Sequence, residues 1–205
     1  MLETLVGKKI VVFDLEIKEE IGKNGVTWST YDKMGISVGV AFNYFTMDYE
    51  IYMDDNIQDL RNLLATSDLI VGFNILGFDL PLLAATTKPV EKNPKLEIYD
   101  LLYKSRESIG WKDGDRFPTG LKLDNHLEAT FGKTEMKTAD GAQAPVMWQQ
   151  KKLGKLISYC LADVKREKML FEHVLQKKLV KTTGHPDRLL GLPKFLEVQN
   201  EIENA

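Results

Sequence analysis

Over the first hundred residues, apolar and polar positions fall into short blocks that read as strands, interrupted once by a helical period. Ile10 to Ile17 is an apolar run, Ile-Val-Val-Phe-Asp-Leu-Glu-Ile, with two acids set two residues apart. A strand puts residues i and i+2 on one face, so Asp14 and Glu16 are expected side by side. Two like charges on a half-buried surface call for a cation between them; the alternative is a strand end that frays into solvent with both acids exposed. Ile36 to Phe45 and Tyr49 to Met53, parted by Thr46-Met47-Asp48, predict a hairpin. Ile57, Leu60, Leu63 and Leu64 follow Asp54-Asp55-Asn56 at helical spacing and predict a helix to about Ala65. Leu69 to Phe73 then reads as a strand buried on both faces.

That strand runs into Gly72-Phe73-Asn74-Ile75-Leu76-Gly77-Phe78-Asp79-Leu80-Pro81. A glycine-containing turn followed by a proline in a first helical turn puts Asp79 near a helix N-terminus. Asp79 either caps that helix or faces the strand end, and Asn74 is either a turn residue or a site residue. Leu96 to Asp100 predicts another strand, with Asp100 capping the helix that begins Leu101-Leu102-Tyr103. Leu121 to Phe131 is helical and stopped by Gly132. A long amphipathic helix runs from about Leu153 to Lys178, whole or broken near Gly154. On it Tyr159 and Asp163 are four apart and so share a face. Between these elements lie three polar connections, 18–35, 105–119 and 133–145. Trp28 and Tyr31 are expected to anchor the first on the core, with stacking on a base as the alternative. The second carries Arg106, Lys112 and Arg116; a flexible cationic loop could hold phosphates, but it reads by default as a solvated loop. The tail from residue 179, with an apolar stretch at Phe195 to Val198, has no legible chemistry.

Composition narrows the class. The chain has 205 residues, 43% hydrophobic and 28% charged, which suits one globular domain with its core at about residues 8–178. A net charge of −3 argues against coating nucleic acid through a basic surface, although acids occupied by divalent metal would leave the rest slightly basic. One cysteine, Cys160, excludes an internal disulfide and zinc fingers and suits a reducing, cytoplasmic setting. No apolar run approaches the roughly 20 residues of a membrane span, so no membrane partner is expected.

Sequential antiparallel strands followed by β-α-β crossovers predict an α/β fold with a mixed sheet, its first three strands antiparallel and later ones parallel, flanked by helices. Sites in such sheets gather beyond the strand ends, where Asp14, Glu16, Asp79 and Asp163 would all arrive. Four carboxylates without histidine or cysteine form a hard oxygen site suited to Mg2+ or Mn2+. Two such ions suit phosphoryl transfer.

Phe13-Asp14-Leu15-Glu16, Asn74-x-x-x-Phe78-Asp79 and Tyr159-x-x-x-Asp163 resemble the three exonuclease motifs of the DEDD superfamily in its tyrosine-bearing branch. That branch includes the proofreading domains of family-B DNA polymerases and related stand-alone exonucleases. The resemblance spans about Ile10 to Val174. Position 158 is Ser, so the histidine branch is not matched. The resemblance implies a ribonuclease-H-like fold and 3′-to-5′ removal of nucleoside monophosphates from single-stranded nucleic acid or frayed 3′ ends, DNA favoured, with room for a polymerase or other replication or repair partner. It implies that Asp14, Glu16 and Asp163 hold one ion, that Asp14 is shared, and that Asp79 holds the second. Asn74, Phe78 and Leu15 would lie toward substrate. Tyr159 would orient the attacking water, since a phenol with an ordinary pKa of about 10 is a poor base at neutral pH. A catalytically silent binding module, an endonuclease and an RNA exonuclease are the alternatives. Lys151, Lys152, Lys155, Lys165 and Arg166, around the third motif, are either backbone contacts or a solvated helix face.

Overall fold

Period-two patterning builds the centre of the molecule, seen here as a computed structural model that describes residues 5, 7–132, 141–182 and 185–194. Strands β1 (Ile10–Ile17), β2 (Ile36–Asn43), β3 (Asp48–Tyr52), β4 (Leu69–Gly72) and β5 (Glu97–Asp100) form one sheet in the order β3-β2-β1-β4-β5. The β1–β2 and β2–β3 pairs are antiparallel, and β1–β4 and β4–β5 are parallel. The expected mixed α/β sheet is therefore the observed one. Helices follow as α1 (Tyr31–Met34), α2 (Ile57–Ala65), α3 (Asp79–Thr86), α4 (Leu101–Ser108), α5 (Leu123–Phe131), α6 (Ala144–Gln149) and α7 (Leu153–Lys177). A hairpin of β6 (Leu179–Thr182) and β7 (His185–Leu189) comes last.

The alternation in β1 decides which layer each residue meets. Val11, Phe13, Leu15 and Ile17 pack with Leu60 and Leu64 of α2 and Leu82 and Leu83 of α3. Ile10 and Val12 point the other way, onto Leu156, Cys160, Val164 and Phe171 of α7. Each such fully buried side chain contributes roughly 1.5–3 kcal/mol relative to exposure. Asp14 and Glu16 continue the face of Ile10 and Val12, toward α7. The pairing with β2 slips between Glu16 and Ile17, which ends the regular face just past the second acid.

Several elements differ from the sequence expectation. Residues 18–35 contain the one-turn helix α1, and Val26 and Met34 are the buried anchors of that connection, whereas Trp28 is 68% exposed. The anchoring expected of Trp28 is thus not found, while Tyr31 does pack on the core, together with Val26 and Met34. α4 continues to Ser108, and α6 begins in the last two residues of the third connection and runs through sequence in which no element is predicted, started by Pro145 in its first turn. α7 is one unbroken helix, with Gly154 in its first turn, where nothing crowds it. Residues 133–140 of the third connection, and the apolar stretch 195–198, lie outside the described residues. Among the described residues no helix is long and apolar enough to cross a membrane.

Candidate active site

Asp14 and Glu16 do sit side by side, and the strand is not frayed: Glu16 is buried and Asp14 half-buried. One oxygen of each and the Cys160 sulfur of α7 all lie within 4.8 Å of one another. The Cys160 thiol donates to the Asp14 carbonyl at 3.4 Å and approaches its Oδ2 at 3.6 Å. Burial, and then the charges of Asp14 and Glu16, push that thiol well above its ordinary pKa. Cys160 is thus a thiol donor tying β1 to α7 beside two carboxylates.

Asp79 reaches the same place from the other side of the sheet's end. It is the first residue of α3, one position inside the N-cap, which Phe78 occupies. The parallel pairing of β1 with β4 covers only Ile10 to Val12, so further along β1 has lost its β4 neighbour. There the Leu15 N–H donates to Asp79 Oδ1 at 3.0 Å. Burial and the neighbouring charge of Asp14 raise the Asp79 pKa well above the ordinary carboxyl range, opposed by hydrogen bonds from the Leu15 amide and its own. The Leu15 side chain itself is buried on the α2 face, in room left by Gly39, where a Cβ would come within 2.8 Å of Leu15 Cδ2 and 2.9 Å of Leu60 Cδ2. What Leu15 brings to the site is its amide, rather than the substrate-facing side chain the resemblance implied.

The turn that delivers Asp79 is pinned by a residue expected only to cap a helix. Asp100 does cap α4, accepting from the Leu102 and Tyr103 amides at 2.9 and 3.1 Å. It also accepts from the Asn74 and Leu76 amides at 3.0 and 2.9 Å. Asn74 takes a left-handed φ of 67°, which asparagine tolerates well, so it is a turn residue that also lines the cleft. Gly72 is required just before: a Cβ there would lie 2.9 Å from the Phe13 carbonyl oxygen and collide with Ile75. Phe78 is half-buried, with Trp28 and Tyr31 edge-on to its ring at 5.9 and 6.2 Å between centroids. The Tyr31 hydroxyl donates to the Gly77 carbonyl at 2.8 Å.

On α7, Tyr159 and Asp163 are both buried and one turn apart on a shared face. Arg166 makes an ion pair with Asp163 and a second with Asp124 at 2.9 Å. Arg166 thus serves the site's own acids and does not join the exposed lysines as a solvated face. One turn beyond Asp163 stands Glu167, absent from the sequence reading and signalled there only by its spacing from Tyr159 and Asp163. It is almost fully buried, accepts from the Phe73 amide, and has Oε2 without a partner among the described residues. Burial, then Asp14, Asp79 and Asp100, raise its pKa well above the ordinary range. A cleft of about 1060 Å³ opens here, lined among others by Asp14, Asn74, Arg106, Lys122, Asp163 and Glu167. Glu16, Asp79 and Tyr159 are buried and are not part of its wall. Carboxylates that raise one another's pKa, with a buried carboxylate oxygen left over, fit a hard divalent cation.

A mixed sheet in this strand order, with acids from its central strand, from the turn after β4 and from a late helix, defines a ribonuclease-H-like protein of nuclease type. The chain belongs to the RNase_H_2 family of the RNase_H superfamily, whose profile matches residues 23–175. That match starts after β1, so Asp14 and Glu16 are brought to the site on structural grounds alone. Among solved structures, the chain is similar to the family B DNA polymerase from the hyperthermophilic archaeon Pyrobaculum calidifontis, with a TM-score of 0.60 at 18% identity. The similarity covers 82% of this chain and 24% of the polymerase, a likeness of fold. No curated protein sequence matches.

Proposed function

We propose that this chain is a divalent-metal-dependent 3′-to-5′ exonuclease that removes nucleoside monophosphates from single-stranded or frayed ends, DNA favoured. The observation that carries the reading is the meeting of Asp14, Glu16 and Asp79 at the end of β1, with Asp163 on the same cleft as Asp14. Asp14, Glu16, Asp79 and Asp163 would hold two magnesium or manganese ions, which when bound supply the Lewis acidity that activates water and steadies the leaving oxygen. The protein's own part is positioning. The Leu15 amide fixes Asp79, and Arg166 pairs with Asp163 and orients it. Tyr159, one turn from Asp163, would orient the attacking water through its hydroxyl. Glu167, buried close to Asp14, adds a further carboxyl whose ionisation burial and Asp14 oppose and a bound cation would favour.

A 3′-labelled oligonucleotide incubated with magnesium or manganese tests this. The expected result is ordered release of mononucleotides, abolished in Asp14→Ala and Asp163→Ala proteins that retain their fold. Undiminished degradation by both variants would overturn the reading. Cutting of a closed circle would make the chain an endonuclease, and binding that persists in EDTA without turnover in either metal would make it a binding module.

A further inference from the structure

The connection after α4, expected to be a solvated loop, folds into a small aromatic cluster. Trp111 and Phe117 stack with centroids 5.7 Å apart and planes 19° from parallel, and Tyr103 meets Trp111 edge-on at 6.3 Å. The loop secures itself: the Trp111 indole N–H donates to the Asp115 carbonyl at 3.3 Å, and the Asp115 carboxylate accepts from the Lys112 amide at 2.9 Å. Phe117 remains 64% exposed, so its stacking is not explained by core packing. The Arg106 guanidinium lies over both rings, 4.4 Å from the Phe117 centroid and 5.3 Å from that of Trp111.

Arg106 also lines the cleft that Asp14 and Asp163 line. Unlike Arg166, it has no carboxylate within ion-pair distance and no hydrogen-bond acceptor among the described residues, and its Nε is buried without a partner. A guanidinium stacked on rings keeps its N–H edge available in its own plane, the geometry that takes a phosphate bidentately. Lys122, exposed on the same cleft, adds a second cation. Single-stranded nucleic acid offers one anionic phosphate and one flat base per nucleotide, and bases stack on exposed aromatic rings irrespective of sequence.

We propose that Arg106, Lys122 and the Phe117–Trp111 stack form a subsite for the nucleotide neighbouring the one being removed, Arg106 and Lys122 taking its phosphate and Phe117 its base. The subsite rests on the nuclease reading for its substrate class. Its test uses Arg106→Gln, Lys122→Gln and Phe117→Ala, with Phe45→Ala, an exposed ring elsewhere, as the control. Fluorescence anisotropy in EDTA gives the affinity for oligothymidylates of three and ten nucleotides across a salt series, and steady-state kinetics in magnesium gives kcat and KM. For the ten-mer, Arg106→Gln and Phe117→Ala should each raise Kd and KM about tenfold with kcat changed less than about twofold. Arg106→Gln and Lys122→Gln should each reduce the salt slope of log Kd by about 0.7, while Phe117→Ala leaves it unchanged. Wild-type Kd, KM and salt slope in all three variants would overturn the subsite and leave the nuclease reading intact. A fall in kcat or in Tm without a change in KM would assign the cluster to holding the loop, and would overturn it too. A wild-type chain that neither binds nor cuts either oligonucleotide overturns both readings.

Discussion

Replacing Asp100 by Ala removes one carboxylate that accepts from four backbone amides in two segments. Two of these, Leu102 and Tyr103, are the cap of α4, and losing a cap costs about 1 kcal/mol. The other two, at Asn74 and Leu76, belong to the turn leading to Asp79, and each part-buried amide left without an acceptor costs about 1–2 kcal/mol. The gross loss is about 3–5 kcal/mol. Part of it is offset in metal-free protein, because Asp100 also raises the pKa of Asp79 and Glu167, so its removal relieves repulsion. A net loss of about 3 kcal/mol should lower the urea midpoint by about 1.5 M at an m value of about 2 kcal/mol/M. Asp100→Asn keeps Oδ1, which takes three of the four bonds, and turns an amide donor toward the Leu76 N–H, so it should lose about half as much. Hydrogen exchange of the Asn74, Leu76, Leu102 and Tyr103 amides should quicken in the Ala protein. A loss below about 1 kcal/mol in Asp100→Ala, or equal losses in the Ala and Asn proteins, would refute the clamp.

Three further outcomes follow from the site. Asp79 and Glu167 have pKa values raised on folding, so their folded state is favoured while they are protonated, and that advantage is lost as pH rises through the raised values. Thermal melts in EDTA should therefore show stability falling as pH rises above the ordinary carboxyl range, by up to about 1.4 kcal/mol per pH unit for each group, with Glu167→Gln flattening the fall and magnesium restoring more stability at the high-pH end. Tyr159→Phe should lower kcat about 10²-fold with KM nearly unchanged, read in steady-state exonuclease assays; an unchanged kcat would remove Tyr159 from the reaction. Gly72→Ala forces apart Phe13, Ile75 and the new Cβ, and should cost about 2 kcal/mol in urea unfolding.

The strand pair of acids was legible because a period of two leaves no choice: once Ile10 and Val12 face α7, Asp14 and Glu16 must follow. The Tyr159–Asp163 pair was legible for the matching helical reason. Asp79 was legible as a position but not as a contact, since nothing local says that β4 stops early and leaves the Leu15 amide for it. Asp100 read as a cap and is one, but its two bonds to the Asn74 turn join segments 24 and 26 residues away, which no local pattern carries. Glu167 hid within a helix that already had a polar face. Arg166 read as one of a cluster of surface cations because the acids that hold it, Asp163 and Asp124, lie on two helices. Residues 105–119 read as a loop because stacking between Trp111 and Phe117 has no periodicity.

Because the Leu15 amide has Asp79 as its acceptor where β1 outruns β4, that carboxylate plugs an internal sheet edge besides its proposed part in metal binding. A descendant of this chain that abandoned catalysis would still be under pressure to keep Asp79, and Asp100 with it. On the proposed nuclease reading, loss of activity in a lineage would be recorded first at Asp14, Glu16, Tyr159 and Asp163, while Asp79 and Asp100 persist.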